Sequence, residues 1–436
     1  MKTQKITRRD FLSGVAATAA FTIVPRHVLG GPNRVSPSEK LNVACIGVGG
    51  MGGSDVGHMS SENIIAFCDV DWKHAAGTFK RYPNVKKYRD FRKMLDKEAN
   101  NIDAVTVSTP DNIHAVAAIA AMKMGKHVYC QKPLAHDIYE VRRLTEAARK
   151  YKVMTQMGIQ IHAEAAVKRV AEIIKSGLIG KVRKVDIFSN KNWGGGTRPA
   201  ESMPVPETLD WDLWLGPAPW RPYHSTYLPG QWRRWWDFGT GTLGDMGCHI
   251  VDPVWWSLDL GYPTTVEAKP GPFNKETYPT ATVVTWEFPA RGELPPVTVT
   301  WYDGTNRPPT PPEFEPGRKL PGQGGLYYGD KGTLLAPHMG NPRLIPESKM
   351  KGFKMPEPFL GRGVNHYREW INACKGGPKP SANFDYSGPL SETILFGNVS
   401  ALAGEKLYWD GPNLKVTNLP GANKHLRRKY RKDWTL

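Results

Sequence analysis

The sequence predicts two unlike domains: an α/β amino-terminal domain built on a doubly wound parallel sheet, and an α+β carboxy-terminal domain with a large open, mostly antiparallel sheet. Three observations point there. Up to about residue 158, short apolar runs alternate with helical periods, the pattern of parallel strands joined by crossover helices. The first of those runs opens directly into a glycine-rich turn. Beyond residue 158, strands of alternating polarity are separated by long loops rich in tryptophan and proline. A chain of 436 residues also exceeds one ordinary core. The expected boundaries are a leader and linker over 1–38, the parallel-sheet domain over 39–158, and the second domain over 159–436, whose final helix and tail return to the first.

Residues 41–59 read as strand, glycine turn and helix. Gly47, Gly49 and Gly52 make G-x-G-x-x-G, which serves a tight turn, close approach of backbone to a pyrophosphate, and close helix packing; Gly50 and Met51 lie inside it. The next strand, NIIAFCDVD, ends in Asp69, 22 positions after Gly47, where a carboxylate accepts hydrogen bonds from the adenosine ribose hydroxyls. Strand, turn, helix, strand and acid in that order define a dinucleotide site. Asp69 would repel a 2′-phosphate and no arginine follows it directly, which favours NAD over NADP.

DAVTVSTPD is a strand breaking into a loop, NIHAVAAIAAMKMG a helix ending at Gly125, KHVYC a strand, and DIYEVRRLTEAARKY a helix with Asp137 at its start. Ligands of such sheets bind at the carboxyl ends of the strands. The loop carrying Ser108, Thr109, Pro110, Asn112 and His114, and the loop carrying Gln131, Lys132 and Pro133, should therefore open onto the cofactor cleft. In the second domain KVRKVDIFSN, TTVEAKP, TATVVTWEF and PPVTVTWYD alternate as strands. Residues 306–325 form a proline-rich surface arm or partner-embracing loop, and VNHYREWINACKGG is an amphipathic helix closed by glycine.

The net charge of +17 is concentrated at the ends: residues 1–40 and 417–436 carry about +5 each, which leaves a mildly basic middle. The tail HLRRKYRKDW reads as a solvated terminal segment, and with no nucleic-acid module present a nucleic-acid partner is not expected. Thr7-Arg8-Arg9-Asp10-Phe11-Leu12, followed by GVAATAAFTIV, matches a twin-arginine export leader, so a periplasmic location and the twin-arginine translocase as a partner are expected. No later apolar run is long enough to span a bilayer. The five cysteines, Cys45, Cys68, Cys130, Cys248 and Cys374, have no metal spacing and read as buried thiols; no metal site is expected.

GKHVYCQKPLA, with TPDNIH upstream, LGDMGCHIVD downstream and the ending SALAGEKLYW, resembles the Gfo/Idh/MocA oxidoreductase family over nearly the whole chain after the leader. The resemblance implies that Lys132, at the lysine of the family's Glu-Lys-Pro triplet, lies beside the nicotinamide and positions or activates the reacting hydroxyl. Gln131 replaces the glutamate, which removes a charge partner and eases the use of Lys132 as a proton acceptor. The resemblance also makes Asp245 and His249 catalytic. On a helix they stand on one face. An imidazole suits the general base that takes the hydroxyl proton as hydride leaves, with Asp245 orienting it or holding a neighbouring hydroxyl. Asp252 reads as structural.

Nine of the fifteen tryptophans lie between Trp193 and Trp256. Flat rings suit the C–H faces of sugars, with Gln160, His162, Asn192, Trp193, His224 and Arg234 as further contacts. Trp235 and Trp236, just before the Asp245 motif, are the favoured aromatic candidates. A carbohydrate or glycoside is thus favoured over a small hydroxy acid. An exported dehydrogenase would carry its NAD tightly bound. Three activities remain open: keto-sugar formation, redox-neutral glycoside cleavage through transient C3 oxidation and elimination, and non-catalytic sugar binding. The resemblance implies that the open sheet pairs face to face with another subunit, so a homo-oligomer, dimer or tetramer, is expected.

Overall fold

The computed structural model describes residues 39–436; the export leader expected over 1–38 lies outside the described residues. From Leu41 onwards, the first six strands are β1 (Asn42–Ile46), β2 (Asn63–Cys68), β3 (Lys86–Tyr88), β4 (Ala104–Val107), β5 (His127–Gln131) and β6 (Thr155–Gly158). They form one parallel sheet in the order β3-β2-β1-β4-β5-β6. The reversal of strand order between β1 and β4 leaves a crevice above their carboxyl ends. Aspartates start three of the crossover helices: the side chains of Asp71, Asp90 and Asp137 accept hydrogen bonds from backbone amides of the first turn. These caps explain why each helix begins where it does, immediately after a strand.

The second sheet has nine strands: β7 (Val182–Ser189), β8 (Thr265–Pro270), β9 (Thr282–Phe288), β10 (Val297–Tyr302), β11 (Gln323–Gly329), β12 (Gly332–Pro337), β13 (Arg343–Ile345), β14 (Leu407–Asp410) and β15 (Lys415–Val416). Their order is β13-β12-β11-β7-β10-β9-β8-β14-β15, antiparallel throughout except for the parallel pair β7 and β10. Helices Gly241–Ser257 and Phe384–Ala403 pack together against this sheet. One cluster of buried side chains runs unbroken from Ala44 and Val105 on the first sheet, through Leu243 and Ile394, to Val284 and Trp301 on the second. A second cluster closes the other face of the first sheet, where Tyr367, Trp370 and Ile371 of helix His366–Cys374 meet Val43, Phe67 and Tyr129. Among the described residues no helix is long and apolar enough to cross a membrane.

One expectation is corrected: the basic tail is docked on the parallel-sheet domain rather than solvated. Arg428 is largely buried, with Nε 2.8 Å from Glu140, and Trp434 packs against Phe91 under the Arg92 guanidinium. Counter-charges at the start of helix Ile138–Tyr151 draw in what composition alone marks as a soluble tail. The proline-rich arm runs over the surface, anchored where Phe314 is buried against Phe188, Leu326 and Leu335. All five cysteines are unpaired, and four are buried.

Candidate active site

Above the strand ends lies a cavity of about 460 Å³. Its floor is the turn after β1. Gly47 has φ +77°, and a Cβ there would stand 2.6 Å from the carbonyl oxygen of Ser108; a Cβ on Gly52 would stand 2.0 Å from that of Gly47. Only glycine lets the helix seat this closely behind the turn. Gly49, Gly50 and Met51 line the cavity, as do Ser108, Thr109 and Pro110 at the end of β4. One Asp69 oxygen accepts from the amides of Val48 (2.8 Å) and Gly49 (3.2 Å), and the other from Asp71 (2.9 Å). This carboxylate therefore braces the glycine turn as well as facing the cavity.

At the end of β5, Gln131 turns inward, and its amide donates to the buried Asp55 carboxylate at 2.9 and 3.2 Å. Ser108 and Tyr367 also donate to Asp55, each at 2.7 Å. Lys132 points the other way, and its Nζ lies 2.6 Å from Oδ1 of Asp245; the Lys132–Pro133 bond that follows is cis. The charge partner lost at Gln131 is thus supplied by the helix Gly241–Ser257. Asp245 also receives Nε of Arg233 (3.1 Å) and Nε1 of Trp193 (2.8 Å). Burial alone would raise its carboxyl, but Lys132 and Arg233 outweigh that and hold it well below the usual carboxylate range.

Asp245 does not orient His249; its oxygens accept from Lys132, Arg233 and Trp193 instead. His249, one turn further on, lines the cavity with Lys132, and its buried Nδ1 has no partner within the protein. Burial, then the nearby Lys132 and His338, lower its pKa to about 3, so it is a neutral imidazole. Asp111, at the start of helix Asp111–Lys123, accepts from the Thr240 hydroxyl at 2.7 Å and is pushed up to about 7 by burial, against the pull of that bond and of Lys132.

Several predicted residues lie elsewhere. Asn112 is buried with its amide on the Leu215 carbonyl (2.9 Å), and the ring nitrogens of His114 lie 2.8 and 2.9 Å from the carbonyls of Pro133 and Thr109; both tie loops together behind the cleft. His162 is in the core, its Nδ1 3.0 Å from both oxygens of Asp252 and its ring stacked on Trp256. Asp252 also accepts from Tyr386 at 2.6 Å, which makes it structural. Trp235 is buried among Trp211, Tyr227 and Phe238, and Trp236 packs on Tyr278. Arg234 turns away, Asn192 and His224 are outside the cavity lining, and Gln160 reaches it while donating to Tyr129 at 3.1 Å.

Among the residues that reach the cavity unchosen are Asp111, Arg233, Trp214, Trp232, His74 and Trp434. Arg233 sits one position from the arginine that was chosen, and Asp111 lies between two chosen neighbours. In irregular loops and short 3₁₀ turns a shift of one residue reverses direction, and no periodicity marks which member points inward.

A parallel dinucleotide-type sheet joined to an open mixed sheet, with a glycine cradle and a lysine at their seam, defines the nicotinamide-dependent dehydrogenase class of architecture. Residues 41–159 match the NAD-binding Rossmann-fold domain of the Gfo/Idh/MocA oxidoreductases, and residues 163–288 match the C-terminal alpha/beta domain of the same family. The chain belongs to this family. Inositol 2-dehydrogenase of Salmonella typhimurium is 27% identical over 177 residues, 39% of this chain and 51% of the relative. Levoglucosan dehydrogenase of Pseudarthrobacter phenanthrenivorans is 25% identical over 178 residues, 41% of this chain and 38% of the relative. These matches span about half, or less, of the curated relatives' length. Among solved structures, the WlbA dehydrogenase from Bordetella pertussis, in complex with NADH and UDP-GlcNAcA, superposes with a TM-score of 0.60 at 18% identity, covering 85% of this chain and 99% of that one. GenD2 from gentamicin A biosynthesis, in complex with NAD, gives 0.59 at 18% identity, covering 89% and 100%. At these identities the likeness is one of fold.

Proposed function

We infer that this protein oxidises a secondary hydroxyl of a sugar or glycoside to a ketone, using NAD held in the cavity. The carrying observation is the convergence on one cleft of Lys132 from the first sheet and His249 from the helix on the second, with Asp245 2.6 Å from the lysine. The cavity suits a nicotinamide dinucleotide: the turn leaves no room for side chains, Asp69 stands at its edge, and the buried Thr109 hydroxyl has no partner within the protein. When bound, the nicotinamide supplies the hydride acceptor. The remaining work belongs to side chains. The Lys132 ammonium, steadied by Asp245, donates to the reacting oxygen, and the neutral imidazole of His249 takes the hydroxyl proton. Trp214 and Trp232 offer apolar faces at the cleft. Relatives named inositol 2-dehydrogenase and levoglucosan dehydrogenase support a polyhydroxylated substrate.

Tight retention of the cofactor belongs to the same proposal. Residues 208–210 strap the exit of β2, with Trp72 N–H on Thr208 (3.0 Å), Asp210 N–H on Val70 (2.9 Å) and Arg89 on Thr208 (3.0 Å). Trp434 adds a wall from the tail. A retained cofactor is what an enzyme exported already folded to the periplasm requires, and a dimer or tetramer through the open sheet completes the proposal. The protein is purified without added nucleotide, denatured, and the released nucleotide identified. Stoichiometric NAD or NADH is the expected result; a protein that is empty and cannot bind NAD ends this reading. A net ketone product separates keto-sugar formation from glycoside cleavage.

A further inference from the structure

Among the described residues, His249 is the one that lines both the cleft and a second, smaller cavity. The second cavity measures about 30 Å³, room for one water, and is walled by Tyr327 and by the backbone at Gly324, Gly325 and Pro337. Its other histidine is His338, just past β12, which is fixed by its amide on the Gln323 carbonyl (3.0 Å). The two rings are 5.7 Å apart between centroids. Each carries a buried Nδ1 with no partner within the protein. His338 is only partly buried, and its neighbour Met339 is 72% exposed.

We propose that His338 is a positioning residue for catalysis: it fixes the tautomer of His249 and carries the proton from its Nδ1 to solvent. The argument rests on the dehydrogenase reading above. A histidine this deeply buried, facing Lys132 and His338 with His366 beyond, pays heavily to become a cation. It escapes that cost by accepting the hydroxyl proton on Nε2 while releasing the Nδ1 proton, so the ring stays neutral. The balance is complete: the carbon gives its hydride to the nicotinamide, the oxygen gives its proton to Nε2, and one proton leaves through His338. Asp245 cannot take that part, because Lys132, Arg233 and Trp193 hold its oxygens.

The test uses the full-length protein with labelled histidine ring nitrogens, as wild type, His338→Phe and His338→Gln. The phenylalanine variant is expected to shift the His249 ring-nitrogen resonances and slow exchange of its ring proton with solvent about tenfold. Glutamine, which can still hydrogen-bond, is expected to restore the wild-type tautomer and keep the overall fold. In cofactor-loaded enzyme, His338→Phe lowers kcat about tenfold with KM unchanged and introduces a solvent isotope effect. His249 resonances that stay put in both variants overturn the proposal, whether or not a sugar is oxidised. Resonances that move in His338→Phe, when the wild-type protein oxidises no sugar, leave the histidine pair standing and sink the dehydrogenase reading.

Discussion

The helix Gly241–Ser257 carries two carboxylates two turns apart, and their surroundings differ in kind. Asp245 meets a lysine, an arginine and an indole N–H at the cleft; Asp252 meets His162 and a tyrosine hydroxyl in the core. Each has a histidine within reach along the chain or across it, yet only the core histidine is paired with its aspartate. The comparison teaches that role follows the charge of the partners. A carboxylate against two cations fixes the lysine at the cleft, whereas one against a phenol and an imidazole holds elements together.

The largest expected effect breaks the cleft end. Lys132→Met should lower turnover by about 10²–10⁴-fold while bound nucleotide is retained, read by stopped-flow reduction of the cofactor alongside nucleotide content. Unchanged turnover would move the chemistry elsewhere. Asp245→Asn keeps a hydrogen-bond acceptor for Trp193 but leaves Lys132 and Arg233 uncompensated, and about 10²-fold in kcat should be lost with little change in melting temperature. At the core end the signature reverses: Asp252→Asn should cost roughly 1–3 kcal/mol of stability in denaturant unfolding, with kcat of the folded fraction intact. Loss of activity without loss of stability there would erase the contrast.

A pH profile sharpens the comparison further. His249 must be unprotonated to act, and its value is held down to about 3 rather than the ordinary 6.5, by burial first. Activity through this group is therefore present above its pKa and lost only as pH falls through it, so the acid limb of kcat/KM should lie far below 6.5. A half-loss near the ordinary value would assign the base to a solvated histidine. Smallest of all, Trp232→Ala should raise KM for the sugar about tenfold while Trp236→Ala leaves it unchanged, in steady-state assays.

The parallel-sheet side of the cleft was largely legible, because its signals are local. A turn after a strand must be glycine at Gly47, and Lys132 follows a strand whose end the pattern marks. The opposite wall was not, because Trp235, Trp236 and Arg234 lie in a segment with no period to say which way each points; Trp232 and Arg233, a step or two away, face the cleft instead. His162 was misread because its partner, Asp252, is 90 positions away. His338 carried no local signal at all. The fold followed from strand and helix periods, and the parallel contact between β7 and β10 within an otherwise antiparallel sheet was not foreseen, since pairing partners are set by tertiary packing.

The unbroken apolar core has a mechanical meaning. Two lobes that swing apart on a hinge need a seam that can part, and here Leu243, Ile394 and Val284 are continuous with the interior of the first sheet. Any widening of the cleft must therefore be local, at the segment around Thr208 and at Trp434, and its frequency is set by how often those few hydrogen bonds break together.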